Sequence, residues 1–228
     1  VCHMIDDHLF PAIKGMDPLH ISNLHNRMDK VVKGNPYAKA ALDMAIYDIM
    51  GKALNRPVCD LLGGDFRDGI EVAHSLGIMP VDQCIEEAKI AVTEGVLTIK
   101  CKTGLDSNRD VELVRRLREE VSETVKIRVD GNEGYSSVSE AVRVTKAQEE
   151  YGIIFCEQPM MGARDLARVA DRINSPVMAD ESAWTMHDII ELDELNAAQY
   201  ISCYVTKPGG LYRAKQQADL AGALHMSV

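Results

Sequence analysis

From about residue 70 onward, short apolar runs alternate with longer stretches whose apolar positions recur at helical spacing. The short runs predict strands and the amphipathic stretches predict helices. Strand Ile70–Leu76 precedes helix Val81–Thr93, and strand Leu97–Lys102 precedes helix Asn108–Val121. Strand Val125–Asp130 precedes helix Ser137–Glu150, and strand Ile153–Glu157 precedes helix Ala163–Ile173. Strand Val177–Asp180 precedes helix Met186–Leu192, strand Tyr200–Val205 precedes helix Leu211–Leu224, and a seventh strand begins near Met226. Strands joined through helices run parallel, and the even period favours a (β/α)8-type barrel over an open sheet. Residues 1–66 differ. They read as helices with no strand pair, and Lys39–Asn55 lines up Ala41, Leu42, Ala45, Ile46, Ile49 and Met50 on one face. Gly51 and Pro57 are expected to end that helix, with a turn at Leu61-Leu62-Gly63-Gly64. The division expected is a first domain over 1–66 and a barrel over 67–228. About six and a half strand–helix units are present, and an incomplete barrel leaves strand edges open, so the chain reads as a portion of a longer polypeptide.

Three of the strand-like runs end in a carboxylate: Asp130, Glu157 and Asp180, at intervals of 27 and 23 residues. Each interval is about one strand plus one helix, so the acids recur at equivalent places in consecutive units. In a barrel the strand C-termini open on one face. Carboxylates converging there repel unless a cation lies between them, and a small set of hard oxygen ligands suits Mg2+. A solvated acid at a strand end is the bland alternative for each one alone. Glu181 is a candidate acid that supports the ligands from behind rather than touching the metal. Asn132 either hydrogen-bonds a ligand or shapes the turn after Asp130. Gln158 and Ser182 stand beside the acids.

Lys100 and Lys102 are two apart on one strand and therefore share a face. Facing inward, two ammonium groups and a divalent cation would depress at least one lysine, and a neutral lysine is a competent general base. Facing outward, they are a surface pair on an edge strand. Lys207, in Val205-Thr206-Lys207-Pro208-Gly209-Gly210, is either an acid/base partner or a loop lysine for a carboxylate, and Tyr204 competes for the same role.

Composition narrows the field. With 35 acidic and 25 basic residues the net charge is −10, which argues against nucleic acid as a partner. No apolar run has the length of a membrane span, and Val1–Asp7 has no signal-peptide character. Six scattered cysteines without a CxxC pair, three of them inside strand-like runs, suit reduced thiols in a cytoplasmic protein. The seven histidines show no HxxxH or HxxE spacing. No GxGxxG or phosphate-binding loop follows the first strand.

In order and spacing, five segments resemble the enolase superfamily, within it the mandelate racemase/muconate lactonizing enzyme family. They are Ala40–Asp48 through Gly51-Lys52 to Leu61–Gly64, Lys100-Cys101-Lys102, Arg128–Asn132, Glu157-Gln158-Pro159 and Ala179–Ser182. The resemblance covers nearly the whole chain. It implies the helical part of an α+β capping domain followed by a modified (β/α)7β barrel, incomplete here. It implies Mg2+, with Mn2+ as the alternative, held by Asp130, Glu157 and Asp180. It further implies removal of the proton α to a substrate carboxylate, with the metal stabilising the enediolate. Lys102 looks like the base, and Lys100 like the neighbour that depresses its pKa and contacts the substrate carboxylate. The Lys-x-Lys pattern is similar to the muconate lactonizing branch. There a second acid/base lysine usually stands five residues before the first glycine of the Gly-Gly pair; here that position is Tyr204, and the lysine is Lys207, where the family often has a structural basic residue. This departure points away from facing lysines and toward a one-base reaction, cycloisomerisation or loss of water, with Tyr204 or Lys207 as acid. Racemisation or epimerisation is the alternative within the family. A non-catalytic metal- or ligand-binding member and a phosphate-binding barrel enzyme are the alternatives of other classes. The partners implied are a small carboxylate substrate and further copies of the chain.

Overall fold

The computed structural model describes residues 1–65 and 67–228; residue 66, where the expected domain boundary falls, lies outside the described residues. The chain forms two compact units. The first comprises residues 1–68, Trp184–Met186 and Cys203–Ala223, and the second comprises Gly69–Ala183, His187–Ser202 and Leu224–Val228.

The first unit is helical: α1 (Cys2–Met4), a π-helical turn (Ile5–Leu9), α2 (Phe10–Ile13), α3 (Ile21–Val31), α4 (Pro36–Leu54) and α5 (Val58–Leu61). Pro36 starts α4 with its φ already helical, and Asn55 ends it in the left-handed region at φ 51°. Gly51 does not stop the helix, as the sequence suggested. It lies inside it, where the returning Arg56 carbonyl would stand 2.9 Å from a Cβ. Leu9, Ile13, Leu24, Met28, Ala38 and Ile46 form the core of this unit. Helix α11 (Leu211–Ala223) belongs to it as well. Its first turn is capped by buried Asp43 of α4, which accepts hydrogen bonds from the amides of Leu211 at 2.6 Å and Tyr212 at 3.4 Å. His25 Nε2 lies 2.7 Å from the same carboxylate. Gly210 has φ 127°, and any Cβ there would overlap Asp43.

The second unit is a six-stranded parallel sheet in the order β1-β2-β3-β4-β5-β6, with helices between the strands. The strands are β1 (His74–Leu76), β2 (Thr98–Lys102), β3 (Lys126–Asp130), β4 (Ile153–Glu157), β5 (Val177–Ala179) and β6 (Tyr200–Ile201). The intervening helices are α6 (Val81–Thr93), α7 (Ser107–Glu120), α8 (Val138–Glu149), α9 (Ala163–Ala170) and α10 (Met186–Glu194). The sequence pattern anticipates this alternation and the parallel sheet. The outer strands are shorter than expected: Ile70 and Val72 are exposed before β1, and the chain turns beyond β6 through Lys207 N to Tyr204 O and Gly210 N to Val205 O. The expected seventh strand is present as one parallel bridge, Tyr200 to Ser227. Ile99, Cys101, Ile127 and Val129 alternate onto the face covered by α6 and α7, where they pack with Ala88, Leu113 and Leu117. No described helix is long and apolar enough to cross a membrane.

One irregularity decides which residues face the other way. The β3–β4 pairing starts at Ile127–Ile153 and continues at Val129–Cys156, a shift of one residue. Strict alternation from buried Ile153 would turn Glu157 toward the helices. The shift places Cys156 there instead, within 3.6 Å of Thr145 on α8, and turns Phe155 and Glu157 to the opposite face.

Asp43 supplies a testable hinge of stability. Asp43→Ala removes the acceptor for two helix-capping amides and for a buried imidazole, and is expected to lower unfolding stability by about 3 kcal/mol. Urea unfolding of the variant beside the parent measures this. A loss under about 1 kcal/mol would mean that water replaces the carboxylate.

Candidate active site

The second unit gathers most of the chemistry-bearing residues at the C-terminal ends of β2 to β5. Lys100 and Lys102 point away from the apolar core, opposite buried Ile99 and Cys101. The register sets Lys102 level with Asp130, and Asp130 level with Glu157. The Lys100 ammonium lies 2.7 Å from Asp130 Oδ2 and 2.8 Å from Glu157 Oε2. Lys102 Nζ donates to the same Asp130 oxygen at 2.7 Å and to Asn132 Oδ1 at 2.6 Å. Asn132 Nδ2 donates in turn to Glu181 Oε1 at 2.8 Å. Both lysines therefore face inward, and Asn132 is tied to the base candidate as well as to the turn.

The electrostatics separate the two carboxylates. Burial alone would raise Asp130, but hydrogen bonds from Lys100 and Lys102 hold it below the usual carboxylate range. Burial and the Asp130 charge push Glu157 above its usual range, with Lys100 opposing them. Burial would lower Lys100, yet its close contacts with the Asp130 and Glu157 carboxylates outweigh that and keep the ammonium above its ordinary value. The protein groups alone thus do not depress Lys100; carboxylates of opposite sign dominate the lysine–lysine repulsion.

Asp180 stands one residue beyond β5, while Glu157 is level with Met178. Its position is set by Gln158, fully buried, whose Oε1 accepts from Asp180 N at 2.7 Å and Ser182 N at 3.2 Å. Gln158 Nε2 donates to Met160 O and to Ser182 Oγ. Gln158 and Ser182 thus tie the ends of β4 and β5 together. Among the described residues, no three His, Cys, Asp or Glu side chains stand close enough together to hold a metal ion. The donor chemistry does fit one: hard carboxylate oxygens, a buried Glu157 Oε2 that pairs with Lys100 by distance but has no donor directed at it, and a buried Glu181 Oε2 with no hydrogen-bond partner.

Three features escape a reading of the sequence. Arg128 shares the inward face, two before Asp130, with its guanidinium 5.5 Å from the Phe155 ring centre; strand alternation was the available signal. Arg109 Nη1 donates to the Lys102 carbonyl at 3.2 Å and Nη2 to the Met79 carbonyl at 2.8 Å, pinning the end of β2. Asp110, fully buried, accepts from Gly104 N at 2.7 Å. No sequence motif marked that pair.

Tyr204 and Lys207 belong to the first unit. Lys207 is buried, with its ammonium 4.8 Å from the Tyr204 ring centre.

Residues 1–63 match the family model "Mandelate racemase / muconate lactonizing enzyme, N-terminal domain", and residues 83–228 match "Enolase C-terminal domain-like". The chain is 33% identical to N-succinyl-L-Arg/Lys racemase of Bacillus cereus, over 96% of this chain and 61% of that protein. It is 33% identical to muconate cycloisomerase 1 of Pseudomonas putida, over 96% of this chain and 60% of that protein. Among solved structures, the Bacillus cereus racemase superposes with a TM-score of 0.96 at 31% identity, covering 99% of this chain and 63% of that one. A dipeptide epimerase from Enterococcus faecalis, complexed with Mg and the dipeptide L-Leu-L-Tyr, superposes with a TM-score of 0.91 at 32% identity, covering 96% and 62%. The chain spans about three fifths of the length of these relatives.

Lys100 is the group whose loss the cluster tolerates least. Lys100→Met leaves Glu157 without its ion-pair partner and Asp130 with one ammonium instead of two, an expected cost of about 3 kcal/mol at neutral pH. Protonating the carboxylates removes the uncompensated charge, so the deficit shrinks as pH falls through their range. Unfolding curves of parent and variant from pH 8 to pH 4 measure it; a deficit independent of pH would assign the loss to packing.

Proposed function

The chain belongs to the mandelate racemase/muconate lactonizing enzyme family of the enolase superfamily, and on that premise we propose that it is a Mg2+-dependent enzyme removing the proton α to the carboxylate of a small acid. The observation that carries this reading is the pair Lys100 and Lys102, each 2.7 Å from one oxygen of buried Asp130, on the same face as Glu157.

An α-proton of a carboxylate is very weakly acidic, because its removal puts a second negative charge on the carboxylate oxygens. Groups placed where that charge develops stabilise it by several kcal/mol in a site shielded from water. Lys102, held at the strand end by Asp130 and Asn132, is the base that takes the proton at Nζ. Lys100, charged and mostly buried, faces the substrate carboxylate. Asn132 orients Lys102 through its carbonyl and is anchored by Glu181 through its amide. When bound by Asp130, Glu157 and Asp180, Mg2+ or Mn2+ supplies further positive charge for the carboxylate oxygens. Burial of Asp130 and Glu157 keeps their charges concentrated on that site.

Tyr204 at the position of the second lysine favours a reaction that needs one base, cycloisomerisation or loss of water. The second reading is racemisation or epimerisation of an amino-acid derivative. It is supported by the names of similar proteins, N-succinyl-L-Arg/Lys racemase and L-Ala-D/L-Glu epimerase.

Two measurements test the assignment. In D2O with Mg2+, the parent is expected to place solvent deuterium at the α-carbon of an N-succinyl amino acid, a dipeptide or a muconolactone-type acid. Lys102→Ala is expected to lose that exchange by at least about a thousandfold while still binding the substrate. Exchange by Lys102→Ala at the parent rate would sink the base assignment. Glu157→Gln is expected to weaken Mg2+ binding at least about tenfold in a calorimetric titration; an unchanged titration would remove Glu157 from the ligand set.

A further inference from the structure

Lys102 is the last residue of β2, and the neighbouring strand β1 stops short of it. The β1–β2 pairing ends with Leu76 level with Cys101, so the Lys102 carbonyl lies past the last pair on that side. On the other side Thr103 N still donates to Asp130 O at 2.9 Å. A side chain fills the gap. Arg109, in the first turn of α7, donates through Nη1 to the Lys102 carbonyl at 3.2 Å and through Nη2 to the Met79 carbonyl of the β1–α6 connection at 2.8 Å. One planar guanidinium thus joins two chain segments where the sheet ladder no longer does.

The guanidinium is itself held from behind. Its Nη1 lies 3.2 Å from Asp110 Oδ1, and the Arg109 amide donates to Asp106 Oδ1, the N-cap of α7, at 2.8 Å. Asp110 is fully buried, and its second oxygen accepts from Gly104 N at 2.7 Å and from Tyr135 OH at 3.5 Å. Arg109 and Asp110 therefore bond the backbone on both sides of Thr103. Gly104 carries the constraint to the next loop. A Cβ on it would stand 2.3 Å from the Gly131 carbonyl, and a Cβ on Gly134 would stand 2.4 Å from the Gly104 carbonyl. Asn132, which accepts from Lys102 Nζ, lies in that loop.

A lysine has a long flexible stem, so its ammonium is placed only when both ends are fixed. Asp130 and Asn132 fix the head of Lys102. We propose that Arg109, backed by Asp110, is a positioning residue that fixes its root and thereby sets the reach of Lys102 Nζ toward a substrate α-carbon. The catalytic consequence rests on the assignment of Lys102 as the base; the anchoring of Lys102 is measurable without it.

Reductive methylation of the full chain with formaldehyde and a borane reductant, located by peptide mass spectrometry, reads how freely the Lys102 ammonium leaves its partners. In Arg109→Met the rate at Lys102 is expected to rise about fivefold, while exposed Lys52 of the helical unit reacts as in the parent. In the same variant, kcat for α-deuteration of the N-succinyl amino acid, dipeptide or muconolactone-type acid is expected to fall at least about tenfold with KM within about twofold, the mark of a misplaced reacting group rather than of weakened binding. Arg109→Lys keeps the charge but reaches with a single nitrogen, and is expected to fall between the parent and Arg109→Met on both readouts. It carries the comparison if circular dichroism shows Arg109→Met unfolded. Lys102 methylation at the parent rate overturns the proposal whatever happens to deuteration, as does a loss confined to KM. Faster Lys102 methylation, with a parent that deuterates none of the three compounds, upholds the anchoring and removes Lys102 as the base.

Discussion

Everything at the strand ends depends on keeping Asp130 charged while fully buried. A carboxylate taken out of water costs several kcal/mol unless opposite charge is supplied at close range. Here two ammonium groups converge on a single oxygen of it, and Lys100 extends the balance to Glu157. Two positive and two negative groups then share one face of three neighbouring strands. That arrangement holds only while the strands keep their register, since one residue of slip turns each side chain to the other face. The apolar face maintains it: Ile99 and Cys101 on β2 and Ile127 and Val129 on β3 are locked against α6 and α7. Core and site are therefore the two faces of the same strands.

The backbone between these residues is bent into shapes that most side chains avoid. Asn132, Glu133 and Gln158 all have positive φ, at 41°, 62° and 35°. Glycine would take those conformations at no cost, and the chain does place glycine where only backbone is needed: Gly104, Gly131 and Gly134 meet with no room for a Cβ. Asn132 and Gln158 keep their side chains because the side chains have partners. Asn132 bridges Lys102 to Glu181, and Gln158 holds the amides of Asp180 and Ser182. Strain of this kind persists only where surrounding contacts over-determine it. Asp110 on Gly104 N and Arg109 on the Lys102 carbonyl supply such contacts from the helix side.

This division also explains what a sequence reading reaches. Alternation in Ile99–Lys102 and Ile127–Asp130 is strict, so the shared face of Lys100, Lys102 and Asp130 was legible, as were the order of strands and helices and the parallel sheet. Glu157 was legible as a strand-end acid by its interval from Asp130, but not its facing. The one-residue shift that turns it inward is a property of the pairing of two strands and leaves no mark on either strand alone. The long helix was legible in its middle but not at Gly51, because the reason for that glycine is a carbonyl returning from Arg56 after the helix has ended. The work of Gln158, Arg109 and Asp110 was illegible for a related reason. Each bonds backbone groups, which every residue carries, so no residue pattern advertises the partner.

The direction of the chemistry turns on Tyr204. A reaction that inverts a carbon by two-sided proton transfer needs, on the second side, a group that both gives and takes a proton near neutral pH. A lysine tuned by its surroundings does both, which is why paired lysines suit racemisation. A phenol ordinarily titrates near 10, so at neutral pH it donates a proton readily and removes one poorly. A tyrosine at the second position is therefore consistent with the proposed one-base reaction, in which an intermediate collapses forward by ring closure or loss of a leaving group.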